Sequence, residues 1–134
     1  MSNSSETLRS FYAAIEAGHH GDALSSFLHP DACTIERPNA LVPQGRVSDR
    51  DAMLAASTAG AGMLASQHYE VRSLDELDDG VVAARLHWSG VIAADVGPFR
   101  AGARLTAHIA QFVRFRDGRV VQIETFDCYE PFGE

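Results

Sequence analysis

The chain has 134 residues, a formal net charge of −7 and 46% hydrophobic residues, which fits one domain over residues 1–134 with a sizeable core. The acidic balance and the lack of a basic tract argue against nucleic acid as a partner. No stretch approaches the ~18 apolar residues of a membrane span. The polar start, Met1–Thr7, lacks the features of a signal peptide, so we expect a cytoplasmic protein without a membrane partner.

The residue types also limit the cofactors. All eleven basic residues are arginine, so Schiff-base chemistry on lysine and a phosphate loop of the Gly-Lys-Ser/Thr type are excluded. Ala59–Gly62 is too weak a match for a dinucleotide site. The six histidines form no His-x-His or His-x-x-x-His pair on a predicted element, and Cys33 and Cys128 lack metal-type spacing. We therefore expect neither a cofactor nor a metal ion.

The first half of the chain predicts three helices. The first covers about residues 5–17, where an apolar stripe recurs with helical spacing: Leu8, Phe11, Tyr12 and Ile15. The second begins near Asp22, which can cap it, and ends before Pro30. The third begins at Ser48–Asp51, which resembles a capping box.

The second half predicts an antiparallel meander. After the third helix the apolar period changes to two, which is typical of half-buried strands. Asp117-Gly118 is a strong hairpin signal because both turn positions favour positive φ. Helices followed by a meander predict an α+β domain with the helices on one face of a curved sheet. The predicted strands cover residues 32–36, 69–77, 81–92, 103–116 and 119–127.

The last hairpin and the C-terminal block resemble a known superfamily. Asp117–Val120 at the hairpin and Phe126–Pro131 beyond it are similar to polyketide-cyclase-like, ketosteroid isomerase-related members of the nuclear transport factor 2-like superfamily. The resemblance implies an α+β fold with a cone-shaped, curved antiparallel sheet and three N-terminal helices packed on its concave face. It also implies a homodimer through the outer sheet face, which carries Phe112.

The same resemblance implies a function. Members of the superfamily are cofactor-free isomerases, cyclases or epoxide hydrolases, so the expected partner is a small apolar ring compound in a cone-shaped pocket. In ketosteroid isomerases the base is an aspartate, which here falls on Arg37 in Glu36-Arg37-Pro38. Their oxyanion tyrosine matches Phe11 and their neutral aspartate matches Gln111. Because all three are replaced, isomerase chemistry by that route is not expected.

Two further family positions are altered. Polyketide cyclases and limonene epoxide hydrolases place an acid/base aspartate seven residues after the hairpin glycine, which here is Thr125. A threonine hydroxyl does not accept a proton at neutral pH. The Arg-x-Asp of the epoxide hydrolases matches Arg85-Leu86-His87, where the arginine is kept and the carboxylate is replaced. These replacements favour a non-catalytic alternative, a dimeric module that binds a small apolar ligand or a protein partner.

Asp127 is the main catalytic candidate. It lies two residues after Thr125 and therefore on the same face of the predicted strand. In an apolar cone, desolvation raises the pKa of a carboxyl toward the range that a general acid/base needs. The alternative is that Asp127 ends the strand and caps the turn over residues 128–131.

His108, Arg85 and His87 complete the predicted catalytic set. His108 is a natural base at neutral pH, but it faces the outer sheet surface if Val113 faces the helices, unless a bulge reverses the strand. Arg85 and His87 share a face, and Arg85 needs a carboxylate partner if it is buried. An exposed polar sheet face is the alternative for both. The predicted substrate-binding set, whose aromatic members are often core residues instead, is Tyr12, Trp88, Gln111, Thr125 and Glu36.

Overall fold

The computed structural model of the protein describes residues 3–132. A 3₁₀ helix (Gly21–Phe27) lies between two α-helices, and six strands form one sheet. Within the described residues, no helix has the length and apolar character needed to cross a membrane. The remaining elements are α1 (Ser4–Glu16), β1 (Leu28–Glu36), β2 (Arg46–Asp49), α2 (Arg50–Met63), β3 (Leu64–Glu76), β4 (Val82–Ile92), β5 (Arg104–Arg116) and β6 (Arg119–Tyr129).

Helix α1 forms and ends as its sequence predicts. Leu8, Phe11 and Tyr12 are its buried residues and lie on one stripe. Gly18 takes a left-handed φ of +95°, and the N–H of the next residue, His19, donates to the carbonyl of Ala14 at 3.0 Å. This is a Schellman motif, in which a glycine ends the helix because other side chains rarely adopt that conformation.

The sheet confirms the α+β class and the curved architecture, with one difference in strand direction. The strand order is β2-β1-β6-β5-β4-β3, and α1 packs against β3 and β6 while α2 packs against β1. The four long strands form the predicted meander, but β1 pairs with β6 in parallel. The sheet is therefore mixed, because the first and last strands of the chain run parallel as neighbours within it.

The N-terminal half of the sheet departs from the sequence prediction in two places. Strand β1 starts at Leu28 and includes Pro30, which is tolerated because β2 pairs only with residues 33–36 and the register with β6 shifts between Leu28 and Cys33. Strand β2 was not predicted. Helix α2 starts after Asp49 instead of Ser48, and the carboxylate of Asp49 accepts the N–H of Ala52 at 2.9 Å.

The final hairpin fixes which side chains face inward. Asp117 and Gly118 have φ values of +53° and +75°, as the predicted turn requires. In β5, Val113 is fully buried on the inner face. Gln111, two residues earlier, shares that face, whereas His108 points to the outer surface.

Helix α2 differs from α1 in how it is packed. The core lies mainly between α1 and the sheet and includes Leu8, Val82 and Val113. None of the residues of α2 is fully buried, since its inner face borders a cavity instead of a packed core. The two helices and the inner sheet face therefore enclose the candidate site.

Candidate active site

The main cavity lies between the two α-helices and the inner face of the sheet and has a volume of about 450 Å³. Its walls are mostly apolar, as in typical small-molecule sites. The polar side chains that matter most for chemistry come from α1, β1, β5 and β6, and they are Tyr12, Glu36, Gln111, Thr125 and Asp127.

Four of these side chains form a continuous hydrogen-bonded chain. The Tyr12 hydroxyl donates to Gln111 Oε1 at 2.7 Å, and Gln111 Nε2 donates to Thr125 Oγ1 at 3.2 Å. The Thr125 hydroxyl then donates to Asp127 Oδ1 at 2.6 Å. Because the Gln111 amide accepts at one end and donates at the other, all three bonds point toward Asp127. Bonds aligned in this way polarise one another.

The register of the sheet explains why these residues meet. Gln111 lies directly opposite Thr125 in the β5–β6 pair, and Thr125 also lies opposite Glu36 in the parallel pair. Thr125, only 5% exposed, is satisfied by this network, as a buried hydroxyl must be. Asp127 lies within β6, two residues before the strand ends at Tyr129. The alternative that Asp127 ends the strand is therefore wrong.

The pKa of Asp127 is raised above the usual aspartate value. Desolvation by burial is the largest cause, and the nearby charge of Glu36 acts in the same direction. The hydrogen bond from Thr125 lowers the pKa and offsets part of this shift. The result is a carboxyl group that keeps its proton to a higher pH than an exposed aspartate does.

Glu36 is a second carboxylate with a different environment. Its side chain is 14% exposed and accepts from Arg46 Nη2 at 2.9 Å. Its other oxygen accepts from Asn39 Nδ2 at 3.0 Å. A guanidinium and an amide thus hold the charge of Glu36, whereas Asp127 has one hydroxyl donor. Two carboxyl groups in such different surroundings can take different roles.

Aromatic side chains form much of the cavity wall. Tyr12 stacks on Tyr69 with ring centroids 5.3 Å apart. Trp88 lines the cavity, and its indole N–H donates to Gln67 Oε1 at 3.0 Å. The indole lies over Gly90, where an added Cβ would come within 2.7 Å of the ring. Glycine is needed there because the wall packs directly against the backbone.

The structure places the predicted site residues on two faces of the sheet. Asp127 and all five members of the substrate-binding set line the cavity. Arg85, His87 and His108 do not, because each alternates with an inward residue and points to the outer surface. The expectation that these three act with Asp127 is therefore wrong, and among residues 3–132 no carboxylate of the cavity forms an ion pair with Arg85.

Tyr129 is a cavity residue that lies beyond the end of the strand predicted from the sequence. It lies two residues after Asp127 on the same face of β6 and lines the cavity. Burial, and next the charge of Asp127, raise its pKa, so its hydroxyl stays protonated at neutral pH. Extending the predicted strand by two residues would have identified Tyr129 through the period of two.

The fold and cavity define a nuclear transport factor 2-like protein. The model of the SnoaL-like domain family matches residues 8–123, which is most of the chain. The protein therefore belongs to the SnoaL-like domain family. A comparison with curated protein sequences gives no match.

Solved structures share the fold at low sequence identity. IdmH from Streptomyces antibioticus, a proposed polyketide cyclase, is 23% identical, covers 94% of this chain and 92% of its own, and has a TM-score of 0.75. SalBIII, an epoxide hydrolase/cyclase-like enzyme in pyran ring formation in polyether salinomycin, is 16% identical, covers 93% and 90%, and scores 0.75. A protein with a ketosteroid isomerase-like fold from Catenulispora acidiphila, solved with trimethylamine, is 17% identical, covers 90% and 84%, and scores 0.70.

Proposed function

We propose that the protein is a cofactor-free acid/base enzyme that acts on a small apolar ring compound, with Asp127 as the group that transfers the proton. One observation carries this proposal: a desolvated carboxyl group lies in an apolar cavity at the end of an oriented hydrogen-bonded chain. A chain of donors holds the carboxyl in one geometry, which is what proton transfer to a bound substrate requires.

The contacts of Asp127 suggest a division of roles. Thr125 donates to Oδ1, which leaves Oδ2 as the atom that takes or gives the proton. Tyr129 lies on the same face and stays neutral, so its hydroxyl can donate to a substrate oxygen that gains negative charge. Tyr12 and Trp88 provide flat apolar surfaces against which a ring can pack.

The solved structures that share the fold support a narrower reaction class than acid/base catalysis in general. The names of IdmH and SalBIII refer to cyclase or epoxide hydrolase/cyclase-like activity. Ring closure and epoxide opening both need a proton moved at a carbon or oxygen atom, and neither needs an external redox partner. We therefore propose cyclisation, isomerisation or epoxide opening, with Asp127 replacing the aspartate that the family carries at the position of Thr125.

Ligand entry can be tested with the single tryptophan of the chain. Because Trp88 lines the cavity, an apolar ring compound that enters it should change the intrinsic fluorescence. Ala61→Phe adds a ring to the cavity wall on α2 and should abolish the saturable signal. Ala59→Phe, on the exposed side of the same helix, is the matched control and should bind as the parent protein does.

Turnover of the same compounds separates the two candidate functions. Cyclic enones, epoxides and ring precursors that bind should be followed for conversion by mass spectrometry and NMR. Conversion that Ala61→Phe removes supports the enzyme. Saturable binding without any conversion favours the alternative, a non-catalytic module for small apolar ligands, which the replaced family residues also support.

We also propose that two copies pair through the outer sheet face. Phe112 and Phe126 are 39% and 38% exposed, and their rings make an edge-to-face contact at 6.1 Å on that face. Exposed aromatic pairs are common in protein interfaces. Light scattering at high micromolar concentration should give the mass of a dimer. A monomer mass under those conditions would refute the pairing.

A further inference from the structure

A row of side chains of the types that can ligate a metal ion crosses the outer face of the sheet. His87 lies directly opposite His108 in the β4–β5 pair, and Cys128 lies opposite His108 in the β5–β6 pair. Glu130 follows Cys128 by two residues on the same side. These side chains come from adjacent strands, so no short sequence spacing reveals them.

Three of these side chains are close enough to share one ion. One ligand atom from each of His87, His108 and Glu130 lies within 4.8 Å of the other two. His108 Nε2 is 3.8 Å from Glu130 Oε2, and the two imidazole centroids are 5.1 Å apart. Two atoms that each lie ~2.1 Å from a tetrahedral zinc ion are about 3.4 Å from each other. Small side-chain rotations therefore suffice to form the site.

The carboxylate is already oriented by its neighbours. Thr106 Oγ1 donates to Glu130 Oε2 at 2.9 Å, and the Glu130 N–H donates to the Thr106 carbonyl at 3.0 Å. Hydrogen bonds of this kind hold ligand side chains in place around metal ions. The two histidines lie directly opposite each other on β4 and β5, two interior strands that are paired along their length.

We propose that His87, His108 and Glu130 bind one zinc ion on the outer face of the sheet, the face that also carries Phe112 and Phe126, with a fourth ligand from solvent or from the second copy of the proposed dimer. Two imidazoles and one carboxylate are a donor set that zinc accepts in three-ligand sites. This site faces away from the cavity of Asp127 and does not depend on the proposed enzyme activity. A zinc site would also give a role to His87 and His108, which do not line the cavity.

Zinc binding should be measured by calorimetry on the full chain without an affinity tag, after a chelator has removed bound metal. We expect one zinc ion per chain, and cobalt(II) should give a visible absorption spectrum when it replaces zinc. His108→Ala and Glu130→Gln should each weaken zinc binding at least about tenfold. His68→Ala is the matched control, since His68 is also exposed and close to a carboxylate, Glu16, at 2.8 Å.

Several outcomes would overturn the proposal. The site is refuted if no saturable binding appears below about 100 µM zinc, a weak affinity for a three-ligand site. It is also refuted if His108→Ala binds as tightly as His68→Ala. If Cys128→Ser removes binding while Glu130→Gln does not, the proposed ligand set is wrong. Each variant should keep its metal-free melting temperature, which shows that any loss comes from the ligand and not from unfolding.

Discussion

Asp127→Asn is expected to lower kcat/KM for any substrate of the cavity by about 10²- to 10⁴-fold, the usual contribution of a general acid/base. The amide has nearly the same shape as the carboxyl, and its oxygen can still accept from Thr125, so ligand binding should be kept. Steady-state kinetics together with Trp88 fluorescence would separate the two effects. Asp75→Asn, an exposed change on β3, is the control and should leave the rate unchanged.

Asp127→Asn is expected to lower activity but to raise the stability of the folded protein. The folded protein raises the pKa of Asp127, so the ionised carboxylate costs folding free energy at pH values above the ordinary aspartate pKa of ~3.9. This cost grows as the pH rises from that value through the raised pKa and is absent in stronger acid. Asp127→Asn should therefore melt at a higher temperature than the parent at neutral pH.

Melting curves of the two proteins between about pH 4 and about pH 8 test this sign. The stability gain should shrink toward the acid end of the range. A lower melting temperature for Asp127→Asn at neutral pH would show that the carboxylate stabilises the C-terminal strand, as a turn cap does, and would remove the physical basis of its proposed role.

Leu8→Ala is expected to lower the free energy of unfolding by about 2–5 kcal/mol. Leu8 is fully buried in the core between α1 and the sheet, so truncation leaves a cavity that rigid neighbours cannot fill. Urea denaturation followed by Trp88 fluorescence measures the change. Arg9→Ala, the exposed next position on the same helix, should change the free energy by less than ~0.5 kcal/mol.

Leu8→Ala should also affect ligand binding in the cavity, which gives a second measurement on this variant. Helix α1 also carries Tyr12, the first donor of the chain that ends at Asp127. Loosening the helix should therefore weaken ligand binding before the protein unfolds. If the variant unfolds at the same urea concentration as the parent, α1 contributes less to the core than its burial indicates.

Local patterns predicted much of this fold. Three features depend only on residues close together in the chain: the apolar stripe of α1, the glycine after it and the Asp117-Gly118 hairpin. Such local features can be predicted from a single sequence. The pairing of β1 with β6 cannot, since it joins opposite ends of the chain. Pro30 lies just past the predicted second helix, yet in the structure it belongs to β1, where β2 does not reach it and the register with β6 shifts.

The candidate site was predicted only in part, because local patterns show which residues share a strand face but not which way that face points. The period of two placed Thr125 and Asp127 on one face of β6, and it correctly linked the direction of His108 to that of Val113. It left the orientation of β5 open, because a single bulge inverts a strand. The pairing of β5 with β6 is in continuous register from Ala107 to Arg114 and shifts only between Arg114 and Phe115. No bulge therefore separates His108 from Val113, and His108 stays on the outer surface.

The packing of α2 has a consequence for how the cavity of this protein can evolve. The helix forms one wall of the cavity, yet none of its residues is fully buried, whereas α1 and the sheet contain the core. Substitutions on α2 can therefore alter the size and shape of the cavity at little cost in stability, while Asp127 and the hydrogen-bonded chain that ends at it stay fixed on α1, β5 and β6. This separation makes α2 the natural place for new ligand preferences of the cavity to arise, by selection in nature or in the laboratory.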